Sequence, residues 1–311
     1  MSLHLAMLLP FAVAALFGVV VRPLARALPP AQAVRMVSGI GLVIAVATGF
    51  VVASAAFTFV AQYSALGRVG DWSAGSLRRV DPMSPAVGTL ATLAVMACAA
   101  TSGFVLVRYV RALVTSLRAT RRLGPGTHGL VVIDDARADA FTLPGVTGRV
   151  VVSTAMLRAL PPAERRALLA HEASHLRHRH HVFLLITEIS AAANPMLRPA
   201  LDAVRLGVER WADEDAAADI GDRRMVARAL ALASRAAAQP VDDARYALRM
   251  NARTFGPRAR ALLAPPPRPR RWVAAALAAM AVVTAASSLV VAVGTESRFD
   301  RATAVTMADH D

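Results

Sequence analysis

The chain has 311 residues, 56% of them hydrophobic, and a mean hydropathy of +0.47, a balance that excludes a conventional soluble protein throughout and asks for lipid around part of the chain. Its formal charge of +14 comes from arginine alone, since there is no lysine; with aromatic residues at 5% and arginines flanking apolar runs, direct nucleic-acid binding is excluded in favour of a cytoplasmic membrane face. Cys98 is the single cysteine, which excludes an internal disulfide and a cysteine-based metal site.

Four apolar stretches reach the roughly 20 residues a helix needs to cross a bilayer: Leu3 to Val21, Val37 to Ala61, Val87 to Val107 and Trp272 to Gly294. No basic residue precedes the first, Pro10 interrupts it, and Arg22 and Arg26 follow it, so a retained span is expected instead of a cleaved leader. Arg22, Arg26 and Arg35 fill the first loop, Arg108, Arg111, Arg118, Arg121 and Arg122 crowd the exit of the third span, and Arg268, Arg270 and Arg271 precede the last. Arginine excess marks these sites as cytoplasmic. The second loop sets Arg68, Arg78 and Arg79 against Asp71 and Asp81, and the tail after Gly294 is net acidic; both are expected outside. The resulting division is three transmembrane helices within 1–111, a cytoplasmic domain at 112–264, a Pro/Arg linker at 265–271, a transmembrane helix at 272–294 and a short extracytoplasmic tail at 295–311.

Within the cytoplasmic segment, Gly124, Pro125 and Gly126 punctuate the exit from the third span. Leu130 to Ile133 and Arg149 to Ser153 read as short strands of a small sheet, with Ala140 to Gly145 between them. Pro161 and Pro162 open a helix on which Leu168, Leu169, His171, His175 and Leu176 recur at helical spacing. A second helix is expected from about Pro199 to a stop at Gly221, and a third from about Asp222 to Ala238. Val182 to Ala193 is apolar, too short to span, and reads as a buried or membrane-grazing segment. The run Pro265-Pro266-Pro267-Arg268-Pro269 reads as a stiff extended linker.

His171-Glu172-Ala173-Ser174-His175 puts two imidazoles one turn apart on a single helix face, where they can hold one metal ion, with Glu172 angled to accept a proton from water activated by that ion. The plain alternative is a surface helix with two incidental histidines. A catalytic zinc site takes three protein ligands and leaves one position open. His181 falls at the eleventh position of the extended histidine motif, but His178 stands where that motif places its turning glycine. The other source is a later helix, where Glu209 and Asp213 share a face: Glu209 as third ligand, Asp213 accepting a hydrogen bond from a ligand histidine. Glu214 lacks an Ala-Asp pair at that spacing. The cluster Arg177, His178, Arg179, His180 and His181 reads as a headgroup-facing or solvated helix end.

These residues resemble the membrane metallopeptidases of the BlaR/MecR type, and are similar to the HtpX and CAAX prenyl endopeptidase group, which share a zinc-binding HExxH helix followed by an ExxxD helix. The resemblance covers about Asp134 to Pro267. It implies a mainly α membrane protein, with four transmembrane helices and a cytoplasmic α+β gluzincin-like domain holding one Zn2+ per chain on His171, His175 and Glu209, with Glu172 as base. Ala140-Phe141 to Gly145, then Val150-Val151-Val152-Ser153 leading to Leu157, resembles the strand that in this family lies beside the cleft and pairs with an extended peptide, which implies Ala140 and Phe141 as substrate-binding residues. Arg258-Ala259-Arg260-Ala261-Leu262-Leu263 resembles the closing arginine and leucine segment, from which Arg260 is taken as a substrate-binding residue. The expected activity is membrane-anchored endopeptidase action on a peptide or protein substrate, in regulatory proteolysis of a winged-helix repressor or a membrane protein. The alternatives are an HtpX-like quality-control or processing protease and a catalytically silent signalling scaffold. Only Thr295 to Asp311 follow the last span, so direct beta-lactam sensing is not expected.

Overall fold

The computed structural model describes residues 3–63, 72–123, 129–145, 148–238, 255–266 and 268–308; the expected Gly124-Pro125-Gly126 punctuation, Arg68 and Asp71 lie outside them. Among these residues, four helices are long and apolar enough to cross a membrane: α1 (Leu3–Arg26), α2 (Pro30–Tyr63), α4 (Pro85–Leu123) and α11 (Arg271–Ala308). Each outruns the apolar stretch that announced it, as helical backbone continues into the flanks, through Pro23 in α1 and past Gly294 in α11. The segment expected as a tail is thus the last part of α11, and Phe299 packs there against Phe57 and Trp72.

A short helix, α3 (Ala74–Val80), is started by a capping box between Ser73 and Ser76. It closes one end of the bundle: Asp81 pairs with Arg298, and its carbonyl accepts a hydrogen bond from Gln62 at 2.6 Å. The opposite end carries the remaining elements. Strands β1 (Leu130–Ile133), β2 (Ala140–Leu143) and β3 (Arg149–Ser153) form a sheet of order β1-β3-β2, with β1 parallel and β2 antiparallel to β3. β2 is therefore an edge strand. The helices that follow are α5 (Thr154–Ala159), α6 (Pro162–Arg177), α7 (His180–Ala193), α8 (Arg198–Ile220) and α9 (Arg223–Ala237), then α10 over residues 255–263. Gly221 takes the left-handed conformation (φ 80) that ends α8, and the Asp222 side chain caps α9.

No break separates a membrane part from a soluble part at residue 112, where α4 continues. Val204, Val208 and Trp211 of α8 share one buried cluster with Phe17 and Val21 of α1, Val34, Ile40 and Ile44 of α2, and Leu277 of α11. α7 packs on α2 and α4, tied by Thr187 to Ser38 (3.0 Å), Asn194 to Thr48 (3.2 Å) and Cys98 to the Ala193 carbonyl (3.0 Å). Glu188, in the middle of α7, pairs with Arg108 and Arg205. At the tip of the α7/α8 hairpin, a Cβ on Gly18 would lie 2.5 Å from the Met196 carbonyl oxygen; only glycine lets α1 approach so closely. The apolar segment 182–193 is thus a helix riveted into the bundle by polar side chains.

Candidate metal centre

Pro162 at the start of α6 supplies a preset helical φ, and Glu164 in its first turn is held by Arg228 of α9 at 2.6 Å. Two turns on, His171 and His175 project from one face of α6 towards Glu209 on α8. Their Nε2 atoms are 3.2 Å apart, and each lies 3.7 Å from a Glu209 carboxylate oxygen. One donor atom from each of the three falls within 4.8 Å of the others. Ligand bonds of about 2.0–2.1 Å arranged tetrahedrally around zinc put neighbouring donors about 3.3 Å apart, so this donor set fits such an ion with little adjustment, and three donors leave the fourth position open.

The surroundings orient these donors. Asp213, one turn beyond Glu209, accepts from His171 Nδ1 at 3.0 Å, which leaves His171 Nε2 facing the other donors. His175 is oriented by a residue that sequence reasoning assigned to a solvated helix end: His180 Nδ1 lies 2.8 Å from His175 Nδ1, and His180 is 1% exposed. His178 is also drawn inward, with Nε2 2.8 Å from Asp215 and its ring stacked on Trp211, while Ser174 donates to the same Asp215 at 2.7 Å. The basic cluster after α6 is therefore divided: Arg177 and Arg179 are exposed, while His178 and His180 pack inward.

The chain turns at Arg179, which takes the left-handed conformation (φ 49, ψ 48). The expectation that a turn here needs glycine is corrected, because an arginine fills the helix-ending position usually given to glycine. The turn does not bring His181 into the donor set. His181 lines the adjoining cavity and stacks on Tyr109.

Arg258 of α10 was missed as well. Its guanidinium grips Asp213 through Nε and Nη2, both at 2.8 Å, and reaches Glu209 at 2.8 Å. The expected residue, Arg260, is exposed and, among the described residues, bonds the Gly256 carbonyl of its own helix. Two residues apart on a helix is about 200°, so the two arginines face opposite ways. Helical spacing held the signal: Leu262, four residues after Arg258, is buried, whereas Leu263, three after Arg260, is 65% exposed.

Burial disfavours an imidazolium at His171, but hydrogen bonds to Asp213 and Glu209 outweigh it and raise the pKa to about 10. His175 is pushed down to about 4 by burial and by the His171 charge. Burial opposes the Glu209 carboxylate too, yet the His171 hydrogen bond and Arg258 hold it well below the usual carboxylate range. Glu172 has no hydrogen-bond or ion-pair partner among the described residues, and the His171 and Arg258 charges only partly offset its burial. Burial, assisted by repulsion from Glu209, pushes it up to about 7, a value suited to taking and returning a proton near neutrality.

Glu172 lines two cavities that meet at the donor set. One, of about 180 Å³, carries Leu168, Ala229, Leu230 and Ala233; the other, of about 350 Å³, carries Phe141, Thr142, His181 and Leu184. Ala140 of β2 borders both, which places the edge strand along the cleft.

No curated protein and no solved structure matches the chain. The family model described as Peptidase family M48 matches residues 106–309, a stretch that begins just past the middle of α4 and takes in the sheet, α5 to α10 and α11. With about two thirds of its length matched and a histidine-histidine-glutamate group inside that stretch, the chain belongs to peptidase family M48 and is a metallopeptidase.

Proposed function

We propose that this protein is a membrane-embedded zinc endopeptidase whose metal is held by His171, His175 and Glu209 and whose catalytic base is Glu172. The observation that carries the reading is the meeting of these three donors beside the Glu172 carboxylate, which lines the same cavity as Ala140 and Phe141 of the edge strand and has no hydrogen-bond or ion-pair partner among the described residues. Zinc, when bound, supplies a Lewis acid that activates water at neutral pH. Glu172 takes the proton of the attacking water and returns it to the departing amine. Asp213 and His180 hold the two imidazoles in orientation, and Arg258 keeps the Glu209 and Asp213 carboxylates ionised and in place.

An extended peptide adds to the free edge of β2, where Ala140 and Phe141 present backbone groups beside the donor set. The smaller cavity, walled by leucine and alanine, takes an apolar side chain of that peptide. The arginine excess at the bundle end bearing the cleft supports a cytoplasmic site, with lipid around the four apolar helices. Substrates are then protein segments exposed near the membrane, either a repressor in regulatory proteolysis or a membrane protein under quality control. The silent-scaffold alternative is disfavoured by the intact donor set and base. Proteomics of cells carrying Glu172→Gln tests the reading: full-length substrates should accumulate, and a profile identical to that of wild type would contradict it.

A further inference from the structure

Where α1 leaves its apolar run and α2 begins, a separate cavity of about 330 Å³ is walled by Arg22, Arg26, Arg205 and Arg210, with Asp202 the one acidic side chain among the described lining residues. The charges do not cancel. Arg22 pairs with Asp202 at 2.6 Å, and Arg205 lies 3.7 Å from Glu188, which also holds Arg108. Arg26 and Arg210 have no hydrogen-bond or ion-pair partner among the described residues, and the Arg210 Nε atom is buried without an acceptor. The acids nearest in influence to Arg210 are committed elsewhere, Glu214 to Arg223 and Asp213 to Arg258. Arg26 adds repulsion to the same cavity. Several guanidinium groups converging on a pocket with unused donors form the usual cradle for a phosphate.

We propose that this cavity binds the phosphate headgroup of an anionic membrane phospholipid. A lipid source is favoured over a soluble phosphate because Arg22 and Arg26 directly follow the apolar run of α1, at headgroup depth for a spanning helix, and because Ala25, Pro30, Ala33 and Leu206 add apolar wall beside the arginines. The proposal rests on the membrane-spanning reading and is independent of proteolysis. Arg210 follows Glu209 in α8, so an occupied pocket also pins the helix that carries a metal donor to the membrane surface.

The test is native mass spectrometry of the full chain in uncharged detergent, titrated with phosphatidylglycerol, phosphatidylcholine or inorganic phosphate. Phosphatidylglycerol should be retained over phosphatidylcholine. Each basic side chain near an anionic headgroup contributes on the order of five-fold in affinity, so Arg26→Gln and Arg210→Gln should each weaken retention by about that factor, and together by about 25-fold. Arg26 is exposed at the end of α1, so its variant alone decides the matter if the Arg210 variant fails to fold, as judged by its thermal midpoint in phosphatidylcholine nanodiscs. Equal retention of both lipids, unchanged retention by Arg26→Gln, or equal competition by inorganic phosphate would each overturn the proposal. Glu172→Gln should bind the lipid as wild type does, which separates this outcome from any failure of the peptidase reading. Recovery of the chain in the soluble fraction without detergent would remove the membrane premise itself.

Discussion

At the residue scale, each imidazole of the donor set is held by a different kind of partner. His171 Nδ1 meets the Asp213 carboxylate at 3.0 Å, whereas His175 Nδ1 meets the neutral ring of His180 at 2.8 Å. With Nε2 committed to a metal, His175 must carry its proton on Nδ1, so His180 Nδ1 must accept and His180 Nε2 must bear the proton. Burial and the neighbouring His175 and His178 charges push the His180 pKa down to about 3, in keeping with a ring that stays neutral and accepts. A graded series follows. Glu209→Ala should remove a metal bond and abolish stoichiometric zinc, while Asp213→Asn and His180→Ala should each lower zinc affinity or activity by about 10 to 100 fold through lost orientation, and His181→Ala should be nearly silent. Zinc analysis and peptide cleavage on the four variants measure the order; a metal-free His181→Ala beside a zinc-replete Glu209→Ala would reverse it. Of these roles, those assigned to His171, Glu172, His175, Glu209 and Asp213 could be argued from spacing along single helices. The position of His180 could not, because it depends on a turn that no local residue announces.

That turn is the point of interest at the scale of elements. Arg179 adopts a left-handed backbone (φ 49) between α6 and α7, a conformation that costs a side-chain-bearing L-residue about 1–2 kcal/mol. Arg179→Gly should relieve it, less the extra entropy glycine brings to the unfolded chain, and so stabilise the protein by up to about 1 kcal/mol. Arg179→Val should destabilise it by about 1–2 kcal/mol, since a branched side chain tolerates positive φ least. Thermal unfolding of the two variants in detergent checks the sign; a more stable valine variant would contradict this account of the turn. The helices of this region were legible because their ends carry chemistry: Pro162 starts α6, Gly221 stops α8 and Asp222 caps α9. Residue pattern alone gives β2 only as a segment between two strands, and it is the family resemblance that implies a strand there, since Ala140 to Leu143 lacks the valine run of its neighbours and is extended by its pairing with β3.

For the whole molecule, apolar length announced the four long helices but not how they join the rest. The α7/α8 hairpin enters the bundle because Thr187, Asn194 and Glu188 find partners on α2, α4 and α8, and such pairings between distant segments leave no periodic trace in the sequence. The lone Cys98 sits at the hairpin's tip against the Ala193 carbonyl, midway along an expected span. In sealed vesicles it should resist a membrane-impermeant maleimide from either side and react only after denaturation; rapid labelling of intact vesicles would contradict burial in the bilayer. Reporters address orientation: one after Asp311 should be active only if it works outside the cytoplasm, and one near Gly126 only if it works inside. The most direct test of the central claim compares purified full-length wild type with Glu172→Gln, measuring zinc per chain and cleavage of a model peptide on the same samples. With Glu172 in the proposed role of moving the proton and not holding the metal, the variant should keep about one zinc per chain and lose cleavage. Loss of zinc together with activity, or cleavage that survives the substitution, would contradict it.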